Sequence, residues 1–278
     1  MPGALGARHA RWYVQRMGRM EPSFEEFVAL AKQGSVVPVS LELLADTLTP
    51  VSAYAAVGAG LGSYLLESVV GGEKWARYSF VGFEPELIVR ALADRIEEQR
   101  ADGLRVRTLS DPWQALREIL ASYRPPSVPW LPRFWGGAVG FVAYDAVRRF
   151  EPTVQGQHAN AANQEPQFTF SIGGTVLIFD NLRHTIRVVV PARIDDHEDL
   201  RDTYDAAVAR IERAQQKLRA PLKLSVMPAP VKHPPLEVPP SSFTREGYCE
   251  AVERCKEHIR RGDIFQVVLS QRFRTPSL

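Results

Sequence analysis

Two short segments set chemically capable side chains into otherwise apolar strand-like runs. Residues 64–69 (Tyr-Leu-Leu-Glu-Ser-Val) end with a carboxylate, Glu67, beside a hydroxyl, Ser68. A carboxylate is the natural counter-ion of a ligand ammonium, and a hydroxyl can both donate and accept. The same spacing also describes a strand end with Glu67 in water. Residues 264–273 alternate more strictly. Phe265, Val267, Leu269, Gln271 and Phe273 share one face; Ile264, Gln266, Val268, Ser270 and Arg272 share the other. Gln266 and Ser270, about 13 Å apart along a strand, would floor a polar pocket or else face water on an edge. His158, His184 and His258 each stand alone and read as surface groups. No Ser/His/Asp set, phosphate loop or HExxH motif occurs, so the residues by themselves specify binding groups and no reaction.

The elements that must position these groups are legible from caps and periodicity. Ser23, with Glu25 and Glu26 behind it, caps a short amphipathic helix that Gly34 ends. Residues 36–39 form a strand, edge-like because of Pro38. Strands follow at 64–69 and 75–83. A meander spans 87–90, 95–99 and 104–108, with a hairpin turn at Ala101-Asp102-Gly103. Asp111 caps a helix running to Tyr123. Residues 135–145 are small and apolar, so backbones approach closely there. Three strands occupy 168–172, 176–180 and 186–190, and a long helix covers 196–219. Residues 220–240 hold seven prolines and make the best domain boundary, a stiff linker. Beyond it Thr244 caps a helix to about Arg261, with Tyr248, Val252, Cys255 and Ile259 on one face, before the strand 264–273. The expected fold class is α+β, with largely antiparallel sheets and flanking helices. A tail at 1–20, a domain at 21–219, the linker at 220–241 and a further unit at 242–278 complete the layout.

Composition narrows the function. The 278 residues carry 34 Lys plus Arg and 32 Asp plus Glu, and four of the arginines lie in the acid-free stretch 1–20. The remaining 30 basic groups face 32 acidic ones, which excludes binding to nucleic acid by phosphate neutralisation. No apolar run approaches a membrane span of roughly 18 residues. Cys249 and Cys255, about 240° apart on one helix, cannot bridge each other. With no disulfide framework the expected setting is cytoplasmic.

Several segments together resemble anthranilate synthase component I, the large, chorismate-using subunit. They are EPSFEEFVALAKQGSVVP from Glu21, TPVSAY from Thr49, YLLESVVGGEKWARYSFVGF from Tyr64, GGAVGFVAYDAVR from Gly136, residues 179–190, and TREGYCEAVERCKEHIRRGDIFQVVLSQRF from Thr244. The LLES run with its GGE and ARYSF continuation and the GDIFQVVLSQRF run carry most of the specificity. The resemblance implies conversion of chorismate and ammonia to anthranilate and pyruvate in tryptophan biosynthesis. It implies Mg²⁺ as cofactor, ammonia from a glutamine amidotransferase subunit (component II), and feedback inhibition by L-tryptophan. Carried over, Leu66, Glu67 and Ser68 are the tryptophan contacts, and Gln266 lines the active site. Related isochorismate-forming enzymes have a water-activating lysine where Gln266 stands; a neutral amide cannot serve as that base. The folate-pathway sibling, aminodeoxychorismate synthase component I, also tends to have Gln there, but Phe265 and Val267-Val268-Leu269 favour the anthranilate enzyme. A third reading is a non-catalytic tryptophan-binding or docking module.

In this resemblance, residues 242–278 are the first helix and strand of the chorismate-binding domain. The family's Mg²⁺-binding glutamates, catalytic histidine and carboxylate-binding arginine match no residue here. The expectation is therefore no metal ligand in this chain, no activity from it alone, and an aggregation-prone strand at 264–273.

Overall fold

The computed structural model describes residues 18–58, 60–67, 77–92, 94–108, 111–154, 166–195, 197–221 and 238–275. It divides into two compact units, Met1–Lys223 and Leu224–Leu278.

The first unit holds two antiparallel sheets. The six-stranded sheet contains β1 (Met20–Glu21), β2 (Val36–Leu44), β3 (Tyr64–Leu66), β4 (Tyr78–Phe83), β10 (Thr175–Asp180) and β11 (Thr185–Arg193), in the order β1-β2-β11-β10-β4-β3. The five-stranded sheet contains β5 (Leu87–Ala91), β6 (Arg95–Arg100), β7 (Gly103–Thr108), β8 (Ala138–Val142) and β9 (Phe168–Ile172), in the order β7-β6-β5-β9-β8.

Alternation along the strands sends two sets of side chains to opposite faces of the larger sheet. Val37, Val39, Leu41, Val81, Leu177, Phe179, Ile186, Val188 and Val190 face three helices: α1 (Phe24–Ala31), α2 (Pro50–Val57) and α4 (Leu200–Arg219). The other face, with Val176, Ile178 and Val189, is covered by Val128, Leu131 and Trp130 from a second proline-rich stretch, residues 125–132. On the smaller sheet Leu87, Val89, Ile96, Phe168 and Ile172 pack against α3 (Pro112–Ala121).

The helix starts follow from their caps. Ser23 and Glu26 close a reciprocal capping box at α1, Asp111 caps α3 and Asp199 caps α4. α2 is an element that periodicity did not disclose; Thr49 and Ser52 cap it with Pro50 in its first turn. β2 runs nine residues, beyond the four that its apolar run suggested, and pairs along its whole length with β11. Pro38 stands opposite Pro191, two residues without N–H that suit a non-hydrogen-bonded rung. On the other side β1 reaches only Ser40 and Leu41, so the expected edge character survives at Pro38 itself. The β6–β7 hairpin turns through Ala101 and Asp102. At β8 the small residues do bring backbones together: a Cβ on Gly140 would run into the Thr169 carbonyl oxygen.

The second unit contains α5 (Arg245–Arg260), capped by the Thr244 hydroxyl and ended by Gly262 at φ 78°. The strand expected at 264–273 does not form; only Phe273 makes an isolated bridge, to Ser241. Among the described residues nothing else offers this segment a ladder, and apolar alternation cannot make a strand without a neighbour to bond. Phe265 is 94% exposed and Val268 84%.

Candidate functional site

β3 lies at the edge of the six-stranded sheet, with Leu65 opposite Val81 and Leu66 opposite Phe80 of β4. Leu65 packs with the helix-side core, so Leu66 turns to the other face, that of Phe80 and Tyr78, and stays exposed. Tyr64 lies against the Gly82 backbone, where any side chain at Gly82 would strike its ring. Burial pushes the Tyr64 phenol up to about 12. Glu67 follows the strand and is exposed; Ser68 lies outside the described residues.

On the same sheet face, further along the strands, stands a polar cavity of about 200 Å³. Its wall includes Glu42 from β2, Tyr78 from β4, Asp180 from β10, Arg187 from β11, and Arg77 and Arg183. Arg77 grips Asp180 with both ends of its fork, Nε to Oδ1 at 3.1 Å and Nη2 to Oδ2 at 2.6 Å. Asp180 also accepts the backbone N–H groups of Leu182 and Arg183, which closes the turn into β11. Arg187 donates to Glu21 and to Glu42, each at 2.7 Å, and the Thr185 hydroxyl donates to Glu42. Three guanidiniums and two carboxylates on one cavity wall give a surface suited to a small polar molecule.

Trp130 belongs to this wall and to a second, more apolar cavity of about 250 Å³ formed with Glu21, Pro22, Glu26, Ala29 and Leu30. Its indole Nε1 is buried without a hydrogen-bond partner. Sequence reasoning missed Arg77, Asp180, Arg187, Glu42 and Trp130. The available signal was the polar residues at alternate positions of β2 and β11, Ser40, Glu42, Thr185 and Arg187, which a linear reading assigns to water.

Gln266 belongs to the second unit and is exposed. The alternating faces expected of 264–273 do not arise. The segment is held by Tyr248, whose hydroxyl donates to the Leu269 carbonyl at 3.3 Å, and by contacts of Ser241 and Ser242 with Gln271 and Arg272. His258 sits 2.8 Å from Asp263 at the end of α5, and His184 occupies a turn at φ 53°. His158 lies outside the described residues. Among the described residues no three His, Cys, Asp or Glu side chains stand together as a metal site. No helix there is long and apolar enough to cross a membrane.

Known proteins supply the context for these residues. Anthranilate synthase component 1 of Pseudomonas aeruginosa is 38% identical over 264 residues, covering 89% of this chain and 50% of that protein. The same-named proteins of Aquifex aeolicus and Acetivibrio thermocellus are 36% and 33% identical over 91% and 90% of this chain. The chain thus spans about half the length of the curated relatives it matches. The solved anthranilate synthase component I of Streptococcus pneumoniae TIGR4 is 22% identical, with a TM-score of 0.47 over 80% of this chain and 46% of that one. The sequence profile described as chorismate binding enzyme matches residues 67–277, so the chain belongs to the family of chorismate-binding enzymes.

Proposed function

We propose that this chain serves in an anthranilate synthase component I, which converts chorismate and ammonia to anthranilate and pyruvate in tryptophan biosynthesis. The observation that carries this reading is that the relatives from Pseudomonas aeruginosa, Acetivibrio thermocellus and Aquifex aeolicus bear that name and match about nine-tenths of the chain. In it the ammonia comes from a glutamine amidotransferase subunit, and L-tryptophan inhibits through Leu66, Glu67 and Ser68. Support for the inhibitor site is chemical. In the sequence β3 is followed by a carboxylate, Glu67, and a hydroxyl, Ser68, an ammonium-binding pair, and the sheet face that Leu66 joins also holds the charged cavity of Arg77, Arg183 and Arg187. Mg²⁺ belongs to the reading as well. With no such group of three donors among the described residues, no step of the reaction is assigned to this chain's side chains.

Split complementation tests the proposal. The chain is mixed with the remaining half of the Pseudomonas aeruginosa relative, chorismate, Mg²⁺ and ammonium. Anthranilate fluorescence should rise in the mixture and stay absent with either half alone. A mixture that yields 4-amino-4-deoxychorismate would place the chain in the folate-pathway sibling, and turnover by this chain alone would defeat the expected inactivity. In the active mixture, Glu67→Ala and Ser68→Ala should each relieve inhibition by tryptophan; unaltered inhibition in both would remove the effector assignment.

A further inference from the structure

The two sheets of the first unit end in four edges, and three of them are protected against pairing with another chain. β1 has two residues and β3 three, too short to template a ladder. β7 carries Arg105 and Arg107, engaged by Asp102 and Glu98, so charge lines that edge. β8 differs. Ala138–Val142 has no charge and no proline, and among the described residues its outer side meets no strand. Phe141 is 56% exposed and Val142 47%. The chain beyond continues the apolar surface with Tyr144 at 94% and Phe150 at 61%. Asp145, the first charge after the strand, is answered within its own chain by Arg148 at 3.3 Å.

We propose that β8 pairs antiparallel with β8 of a second copy, joining two five-stranded sheets across a two-fold axis. An isologous contact sets an edge against itself, so the edge's own charges decide whether it can form. β7 against itself would bring Arg105 and Arg107 of both copies together; β8 brings none. Centred on Gly140, the pairing places Phe141 of each copy opposite Val139 of the other, an aromatic–β-branched pair of the kind that stabilises sheets. A five-residue ladder buries less than the roughly 1,200 Å² of a stable interface, so Tyr144 and Phe150 must join it.

Sedimentation velocity on the full chain over a concentration series tests this. The expected result is a species of twice 31.1 kDa that Phe141→Lys returns to monomer with an unchanged far-UV circular dichroism spectrum. Phe265→Ser with Val268→Ser, which alters a separate exposed apolar segment, should leave that dimer intact. Should Phe141→Lys fail to fold, amide hydrogen exchange of the wild-type chain decides: protection of 138–142 should rise with concentration. A monomer at every concentration, a dimer lost with the 265/268 pair instead, or concentration-independent exchange at β8 would overturn the pairing and leave this edge to a different chain.

Discussion

β11 and residues 264–273 are written in nearly the same alphabet and end differently. Each alternates apolar residues with polar ones, Thr185 and Arg187 in the first, Gln266, Ser270 and Arg272 in the second. All nine residues of β11 pair with β2, and five of them also pair with β10. Its polar Arg187 is met by Glu21 and Glu42. Segment 264–273 has one bridge and leaves Phe265 in water. A β-branched, alternating sequence is a willingness to pair; the strand exists only where backbone donors and acceptors come to meet it.

That contrast breaks most visibly if the packed sheet tolerates damage. Ile211 on α4 is fully buried against it. Ile211→Ala should cost about 3–4 kcal/mol, read as a shift in urea midpoint at constant slope. A cost below about 1 kcal/mol would mean that α4 is loosely seated. Arg187→Ala should cost about 3 kcal/mol by leaving Glu21 and Glu42 buried together without their shared cation. If Glu42→Gln in the Arg187→Ala background restores much of that, the loss came from stranded charge rather than from lost packing.

A pH arm sharpens the same point on the edge strand. With its phenol held at about 12 by burial, folded Tyr64 keeps a proton that the unfolded chain loses near 10. The stability this contributes is whole below pH 10 and gone by about 12, roughly 2–3 kcal/mol in all. Tyr64→Phe keeps the ring and removes the titration, so its stability should fall less steeply between pH 10 and 12. Parallel pH curves for the two proteins would show that Tyr64 is not buried in solution.

How much of this was legible in the sequence follows the range of the interactions. Local signals were enough for α1, α3 and α5, whose caps at Ser23, Asp111 and Thr244 lie within one turn of what they cap, whereas the apolar period disclosed α4 but not its start at the Asp199 cap. The β6–β7 hairpin was equally local. α2 escaped because Val51, Ala53, Ala55, Ala56 and Val57 are apolar on every side and give no period to read, although Thr49-Pro50 marked its start. The last five residues of β2 escaped because Ser40 and Glu42 look like surface. Their partners, Glu21, Thr185 and Arg187, come from strands far away in the chain. The charged cavity was hidden for the same reason, since Arg77, Asp180 and Arg187 become one wall only after β4, β10 and β11 have aligned. Leu66 and Glu67 could be placed on a strand end by their spacing, but which sheet face Leu66 joins depends on its register with Phe80.

The smallest expected effect tests the other half of the comparison. Phe265→Ser with Val268→Ser removes two exposed apolar side chains from a segment that has no ladder to lose. Its effect on the chain's unfolding free energy should stay within about 0.5 kcal/mol, as for surface positions generally. The consequence should appear instead in association: a high β-propensity run with free backbone groups templates aggregation, so the double variant should stay soluble at concentrations where the wild type scatters light. Deleting 242–278 should improve solubility in the same direction. A stability loss of 2 kcal/mol or more in the double variant would mean that 264–273 is paired in solution, and the difference drawn between it and β11 would then be one of degree.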